Sequence, residues 1–213
     1  MIRIVAIERE YGSGGAAIAQ KLAEHLGWKL WDQALTEEIA RMTQVSRAEV
    51  TRREERIDPL FYRLAKVFTR GSFERSLPVS GLEGLDADRV VELMQRVMEG
   101  AASAGRCVIV GRGAPYFLRD RDDVFSAFIF APLEEKLRRV KNIGKSDAKA
   151  VELISEIDHE RAMFVKKYYD KEWPTRSLYH LMINSKVGDS LAVRVIADEI
   201  AMLDEASLKN PAE

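Results

Sequence analysis

Apolar positions along the chain alternate between two periods. Residues 2–7 (IRIVAI) form a short β-branched run that predicts a buried strand, and residues 14–26 then place Ile18, Leu22 and Leu26 at helical spacing. Gly27 follows where a helix ends in a left-handed residue. Residues 28–31 (WKLW) read as a second strand, and two charged helices are predicted over 35–44 and 46–57. Thr36 is a candidate cap for the first, and Ser46 with Glu49 makes a capping-box pattern for the second. Pro59 opens a segment whose Leu60, Phe61, Leu64, Val67 and Phe68 form an apolar stripe; residues 71–86, with Gly, Ser and Pro, read as a loop or hinge. Beyond it the pattern predicts a helix over 87–104, strands over 107–111 and 124–131, and a helix from Pro132. A turn at 144–150 leads with a cap into a helix ending near Tyr169. A last strand (178–184), a last helix (190–206) and a frayed tail (208–213) complete the chain.

Strands separated by helices imply an α/β fold: a three-layer parallel sheet with helices on both faces. In such sheets ligands bind at the carboxyl ends of the strands. The residues that matter most are therefore Glu8 to Gly15, Trp31 to Gln33, Gly111 to Ala114, and Asn184 to Ser185.

Composition narrows the function classes. With 213 residues, 46% of them hydrophobic, the chain can bury the core of a single domain carrying a lobe or insertion. Its 33 basic and 34 acidic residues leave no net basic field, which argues against nucleic acid or an anionic membrane as the main partner. The apolar start is too short for a signal segment, and no stretch approaches the roughly 20 apolar residues of a membrane span, so a cytoplasmic protein is expected. The lone cysteine, Cys107, lies in a strand-like run and reads as a buried inert thiol. His25, His159 and His180 are far apart and show no metal-ligand spacing, so no protein metal site is expected. The TRREER run (51–56) reads as a solvated helix face.

The stretch EREYGSGGAAIAQ (8–20) carries the chemistry, and two readings compete for it. Gly12-Ser-Gly-Gly-Ala-Ala17 satisfies G-x-G-x-x-A, and Asp32 lies twenty residues beyond Gly12 at the end of the next strand, as in a dinucleotide fold. That fingerprint, however, wants its first glycine directly after the strand, and here Glu8, Arg9, Glu10 and Tyr11 intervene. A longer loop suits a phosphate cradle, in which backbone N–H groups and a helix N-terminus surround the anion and glycine allows close approach. The cradle is the favoured reading.

The opening stretch, together with VIVGRGAPYFL, FIFAPLEEKLRRV, IDHERAMFVKKYY and LYHLMINS, resembles the cytidylate kinase-like family of P-loop nucleoside monophosphate kinases, over residues 2 to about 200. The resemblance implies a single kinase-like domain over 1–213, with a helical monophosphate-binding lobe at 33–100 and a short lid at 141–168. It implies transfer of the γ-phosphoryl of ATP to a nucleoside monophosphate such as CMP, with Mg2+. Such transfer is mostly positioning and charge neutralisation. Gly12, Ser13, Gly14 and Gly15 would then offer backbone donors to the ATP phosphates. Arg112, in VGRG, resembles the arginine that grips the acceptor phosphate. Arg138 and Arg139 lie where the family carries lid-facing arginines, and Asp158 with Arg161 resembles the lid D-x-x-R motif. Asp32, beside Trp31, is an acceptor-pocket candidate, whereas Tyr168, Tyr169 and Trp173 read as packing at the lid base.

The chain departs from the family at informative places. Where a P-loop ends G-K-[ST], this one has Gly15-Ala16-Ala17, so both the lysine and the metal-binding hydroxyl are missing. Arg9 is the nearest cation that could replace the lysine. The aspartate that follows the arginine of the GR pair in typical cytidylate kinases is here Gly113, which puts cytosine selectivity in doubt. Two alternatives stay open: a nucleotide-binding regulatory protein with weak or no kinase activity, and a nicotinamide-dependent enzyme. The oligomeric state is not fixed by the sequence.

Overall fold

The fold is built on a five-stranded parallel sheet in the order β2-β3-β1-β4-β5. A computed structural model of the chain describes residues 1–32, 34, 35, 38 and 87–209. The strands are β1 (Ile4–Arg9), β2 (Lys29–Trp31), β3 (Cys107–Val110), β4 (Val124–Phe130) and β5 (Leu181–Asn184). Between and after them run α1 (Gly15–Leu26), α2 (Ala87–Ala104), the single turn α3 (Ala114–Phe117), α4 (Leu133–Asn142), α5 (Asp147–Tyr169) and α6 (Asp189–Lys209). β1 is the central strand, paired with β3 from Ile4 opposite Cys107 and with β4 from Ile4 opposite Val124.

Alternation along β1 sorts the core into two layers, as a pleated strand requires. Ile4 and Ala6 face a cluster with Met94, Met98 and Ala101 of α2 and Phe164 and Val165 of α5. Val5 and Ile7 face the other side, against Ile18 and Leu22 of α1 and Ile196 and Ile200 of α6. A third cluster joins Tyr11 of the glycine loop to Val140 of α4 and Leu153, Ile154 and Ile157 of α5. The loop is thereby packed against the helices that follow β4.

The strand order decides between the two readings of the opening stretch. In a dinucleotide fold β2 lies beside β1. Here β3 lies between them, because β2 pairs with β3 while β1 pairs with β3 and β4. Asp32, at the end of β2, is therefore one strand removed from the place a ribose-binding acid would need, and the nicotinamide reading is set aside.

Local signals hold where their chemistry is self-contained. Gly27 caps α1 with φ 65° and bonds back to Ala23 and Glu24. Ser146 caps α5 by accepting from the Lys149 N–H at 3.4 Å. The last strand starts later than the apolar run suggests, since pairing with β4 begins at Leu181 opposite Ala127 and residues Arg176–Leu178 form a 3-10 turn. Helix α3, with Pro115 in its first turn, was not foreseen. The segments 46–57, 59–70 and 71–86 and residues 210–213 lie outside the described residues, as does most of 35–44. No helix among the described residues is long and apolar enough to cross a membrane.

Candidate active site

The carboxyl ends of β1, β3 and β4 meet at the glycine loop. Gly12 and Gly14 both adopt φ 77°, and Gly14 is the N-cap of α1, so the loop turns through left-handed residues straight into a helix N-terminus. Ser13 is buried and fixes the loop: its hydroxyl donates to the Glu10 carbonyl at 2.8 Å, its N–H donates to the same carbonyl at 3.3 Å, and its own carbonyl accepts from the Ser185 hydroxyl. Ser13 therefore serves the loop's shape, and its hydroxyl is turned inward.

Arg9 explains the glycine at 15. The N-cap at Gly14 shifts the expected alignment by one residue: with Gly14, not Gly15, set against the last glycine of G-x-x-x-x-G-K, Arg9 stands where the first glycine would be and Gly15, not Ala16, where the lysine would be. A Cβ on Gly15 would lie 2.6 Å from Arg9 Cβ and 2.8 Å from its Cγ. The aliphatic stem of Arg9 therefore covers position 15, and its guanidinium continues to β3, where Nη1 would meet a Cβ on Gly111 at 1.9 Å. Glycines at 15 and 111 admit the Arg9 side chain at both of its ends. Burial, then Arg161, lowers the Arg9 pKa to about 10, against the opposing pull of Asp32 and Glu8.

Helix α4 contributes a second cation over the loop. A Cβ on Gly14 would lie 2.1 Å from Nη1 of Arg139, whose Nη2 donates to Asp189 Oδ1 at 3.1 Å. Asp189, the first residue of α6, also accepts from Lys21 of α1 at 3.0 Å. The two adjacent arginines thus separate: Arg138 points outward and pairs with Glu135 one turn back, while Arg139 lies on the loop. Lys136, one turn before Arg139, is a third cation that sequence reasoning missed. It bonds Glu10 Oε2 at 2.9 Å and approaches Asp158 Oδ2 at 3.5 Å. The signal for it was present, since residues three apart on a helix share a face.

Asp158 and Arg161, expected on a lid, clasp the loop's backbone. Asp158 Oδ1 accepts from the Tyr11 N–H at 2.7 Å and from Arg161 Nη1 at 3.1 Å, and the same Nη1 donates to the Arg9 carbonyl at 2.7 Å. Burial holds the Asp158 carboxyl above the usual carboxylate range despite Arg161 and the Tyr11 N–H.

On the other side of the loop, Arg112 follows β3 in a left-handed conformation, φ 58°, between Gly111 and Gly113, both at 71°. It is 8% exposed; Nη1 donates to the Val110 carbonyl at 3.2 Å and lies 3.6 Å from Asp32 Oδ1. Asp32 and Arg112, separated by eighty positions, form one buried pair. Burial, opposed by Asp32, lowers the Arg112 pKa. Glu8, unassigned from sequence although it lies one residue before the end of β1, accepts from the Gly113 N–H at 3.0 Å and from Trp173 Nε1 at 3.3 Å.

The fold that carries this site has counterparts. The sequence profile described as "Cytidylate kinase-like family" matches residues 4–187. The chain belongs to the cytidylate kinase-like family. An uncharacterized protein from Eubacterium ventriosum has the same fold at TM-score 0.67 and 24% identity, covering 94% of this chain and 99% of its own. The shikimate kinase from Acinetobacter baumannii aligns at TM-score 0.48 and 16% identity over 100% and 97% of the two chains. The deoxyadenosine kinase from M. mycoides aligns at TM-score 0.44 and 10% identity over 93% and 99%. A comparison with curated proteins finds no match.

Within the cytidylate kinase-like family, the departures at this chain's loops have steric causes. Position 15 is covered by Arg9. At position 113 a Cβ would lie 2.5 Å from the ring of Tyr169, so no aspartate fits there while that ring is in place. The loop suits a polyphosphate, with its glycine cradle, the α1 N-terminus and Arg139 across Gly14. For magnesium the loop fits poorly. Ala16 and Ala17 carry no hydroxyl, that of Ser13 is engaged, and no cluster of three or more His, Cys, Asp or Glu that could hold an ion occurs among the described residues.

Proposed function

We propose that the chain is a nucleoside monophosphate kinase that passes the γ-phosphoryl group of ATP to an acceptor of the CMP type, with arginines in place of the loop lysine. The observation that carries this reading is the course of Arg9, from the glycine that replaces the lysine to the glycine that opens the Arg112 turn. Arg9 thereby joins the donor loop to the acceptor side.

In this mechanism the loop and the α1 N-terminus bind the donor phosphates, and Arg139 exchanges Asp189 for them. Arg9 stands at the middle of the site, where charge builds up during transfer. Arg112 grips the acceptor phosphate, with Asp32 fixing its orientation. Catalysis here is charge stabilisation by groups held in advance, which needs no protein nucleophile. ATP with magnesium supplies the transferable phosphoryl group; no step is assigned to the metal. A guanidinium reproduces the compact charge of an ammonium imperfectly. Turnover below the ~1–100 s⁻¹ usual for kinases is expected.

A second reading, a nucleotide-binding regulatory protein with little or no transfer, draws support from the clasp, which occupies the Tyr11 N–H and the Arg9 carbonyl. The deciding experiment is ADP formation from ATP and Mg2+ across the common nucleoside monophosphates, repeated with Arg9→Ala. Turnover that falls about tenfold or more in the variant supports the kinase reading. No ADP with any monophosphate, alongside retained ATP binding, leaves the regulatory reading.

A further inference from the structure

Three consecutive residues, Gly111, Arg112 and Gly113, take left-handed conformations. A non-glycine residue is strained there, so the Arg112 conformation needs outside support. The turn is tied at both ends: the Gly111 N–H donates to the Ile7 carbonyl at 2.7 Å, and the Gly113 N–H donates to Glu8 Oε1 at 3.0 Å. The second tie is a side chain from the central strand, buried to 3% exposure. Its other oxygen accepts from Trp173 Nε1, so the carboxylate is braced from the segment after α5. Burying a carboxylate is costly, and of the two hydrogen bonds that offset the cost one runs to the turn that presents Arg112.

We propose that Glu8 is a positioning residue for Arg112, which fixes the left-handed turn after β3 and so sets the affinity for the acceptor's phosphate. Glu8 acts through the Gly113 N–H and makes no contact with either nucleotide. The inference rests on the monophosphate kinase reading. It differs from a general structural role in one respect: a carboxylate that only closed the fold would affect donor and acceptor affinities alike, whereas Glu8 acts on the acceptor alone.

The test measures binding of ADP and of CMP, dCMP, UMP, AMP and GMP by calorimetry to the wild type and to Glu8→Ala, Glu8→Gln and Glu8→Asp. In Glu8→Ala, affinity for the monophosphate that binds falls about tenfold or more, the scale of one charge-assisted hydrogen bond, and ADP affinity changes less than about twofold. Glu8→Gln retains an oxygen for the Gly113 N–H and recovers most of the loss, whereas Glu8→Asp, one methylene short, does not. In an Arg112→Ala background, Glu8→Ala makes no further difference to monophosphate binding. Should Glu8→Ala not fold, the Gln and Asp variants decide. Equal monophosphate affinity in wild type, Gln and Asp, a parallel loss for ADP, or an additive effect with Arg112→Ala overturns the role of Glu8 and leaves the kinase reading standing. A wild type that binds ADP but none of the monophosphates overturns both.

Discussion

Arg139 lies on Gly14, its Nη1 only 2.1 Å from where a Cβ at that glycine would sit, and Asp189 holds it there. The glycine at 14 is therefore required twice, by its φ of 77° and by the guanidinium packed on it.

The two requirements separate experimentally. Gly14→Ala carries a left-handed alanine, at roughly 1–2 kcal/mol, plus displacement of Arg139. Combined with Arg139→Ala, only the backbone cost remains. The cycle, read by urea unfolding, should show a coupling of about 0.5–3 kcal/mol, the range for residues in contact. Strict additivity would mean that Arg139 does not rest on the loop.

Arg112→Ala leaves Asp32 buried without its guanidinium, which costs about 3–5 kcal/mol of stability. It also weakens monophosphate binding by roughly 1.5–3 kcal/mol and leaves ATP binding nearly unchanged. Adding Asp32→Asn removes the buried charge that has lost Arg112, so unfolding experiments should show recovered stability while monophosphate affinity stays low. An equal loss of ATP and monophosphate binding would show that the two sites are misplaced.

Arg9 trades stability for charge. Its pKa, lowered to about 10 chiefly by burial, means that folding disfavours the ionised form. By linkage the unfolded chain binds the Arg9 proton more tightly, so this group's contribution rises only as pH climbs from about 10 toward the ordinary guanidinium value and is absent at neutral pH. Arg9→Met should then leave the melting temperature unchanged or raise it, while phosphoryl transfer falls. A variant that is both less stable and fully active contradicts this placement.

Asp158 gives the clasp an acid signature. Its folded pKa is raised, so its contribution to stability is complete below the unfolded value of 3.8 and is lost as pH rises through the folded value. Asp158→Asn can still accept the Tyr11 N–H but does not titrate. Urea unfolding across acidic pH should show the stability of the wild type relative to this variant falling as pH rises from 3.8 and then levelling off. The opposite slope would show that pairing with Arg161 outweighs burial.

What the sequence disclosed follows from how locally each feature is encoded. The first strand, the glycine loop and the caps at Gly27 and Ser146 depend on residues within a turn of one another, and a reader of the sequence finds them. Asp32 and Arg112 were separate candidates, but their pairing depends on β2 lying against β3, a non-local fact. Arg138 and Arg139 could not be told apart, because adjacent helical positions differ only in direction and the direction comes from docking α4 on the loop. Glu8 stood among the strand-end residues but had no visible task, since its partner Gly113 lies over a hundred positions away.

The stem of Arg9 over position 15 also constrains descent. Residues 9 and 15 share one space, so only one of them can extend a side chain into it. A lysine at position 15 would require the arginine stem to be removed first, leaving glycine at both positions and a cation at neither, or both positions to change at once. A long side chain at position 15 is thus open only to a chain that has given up the one at position 9.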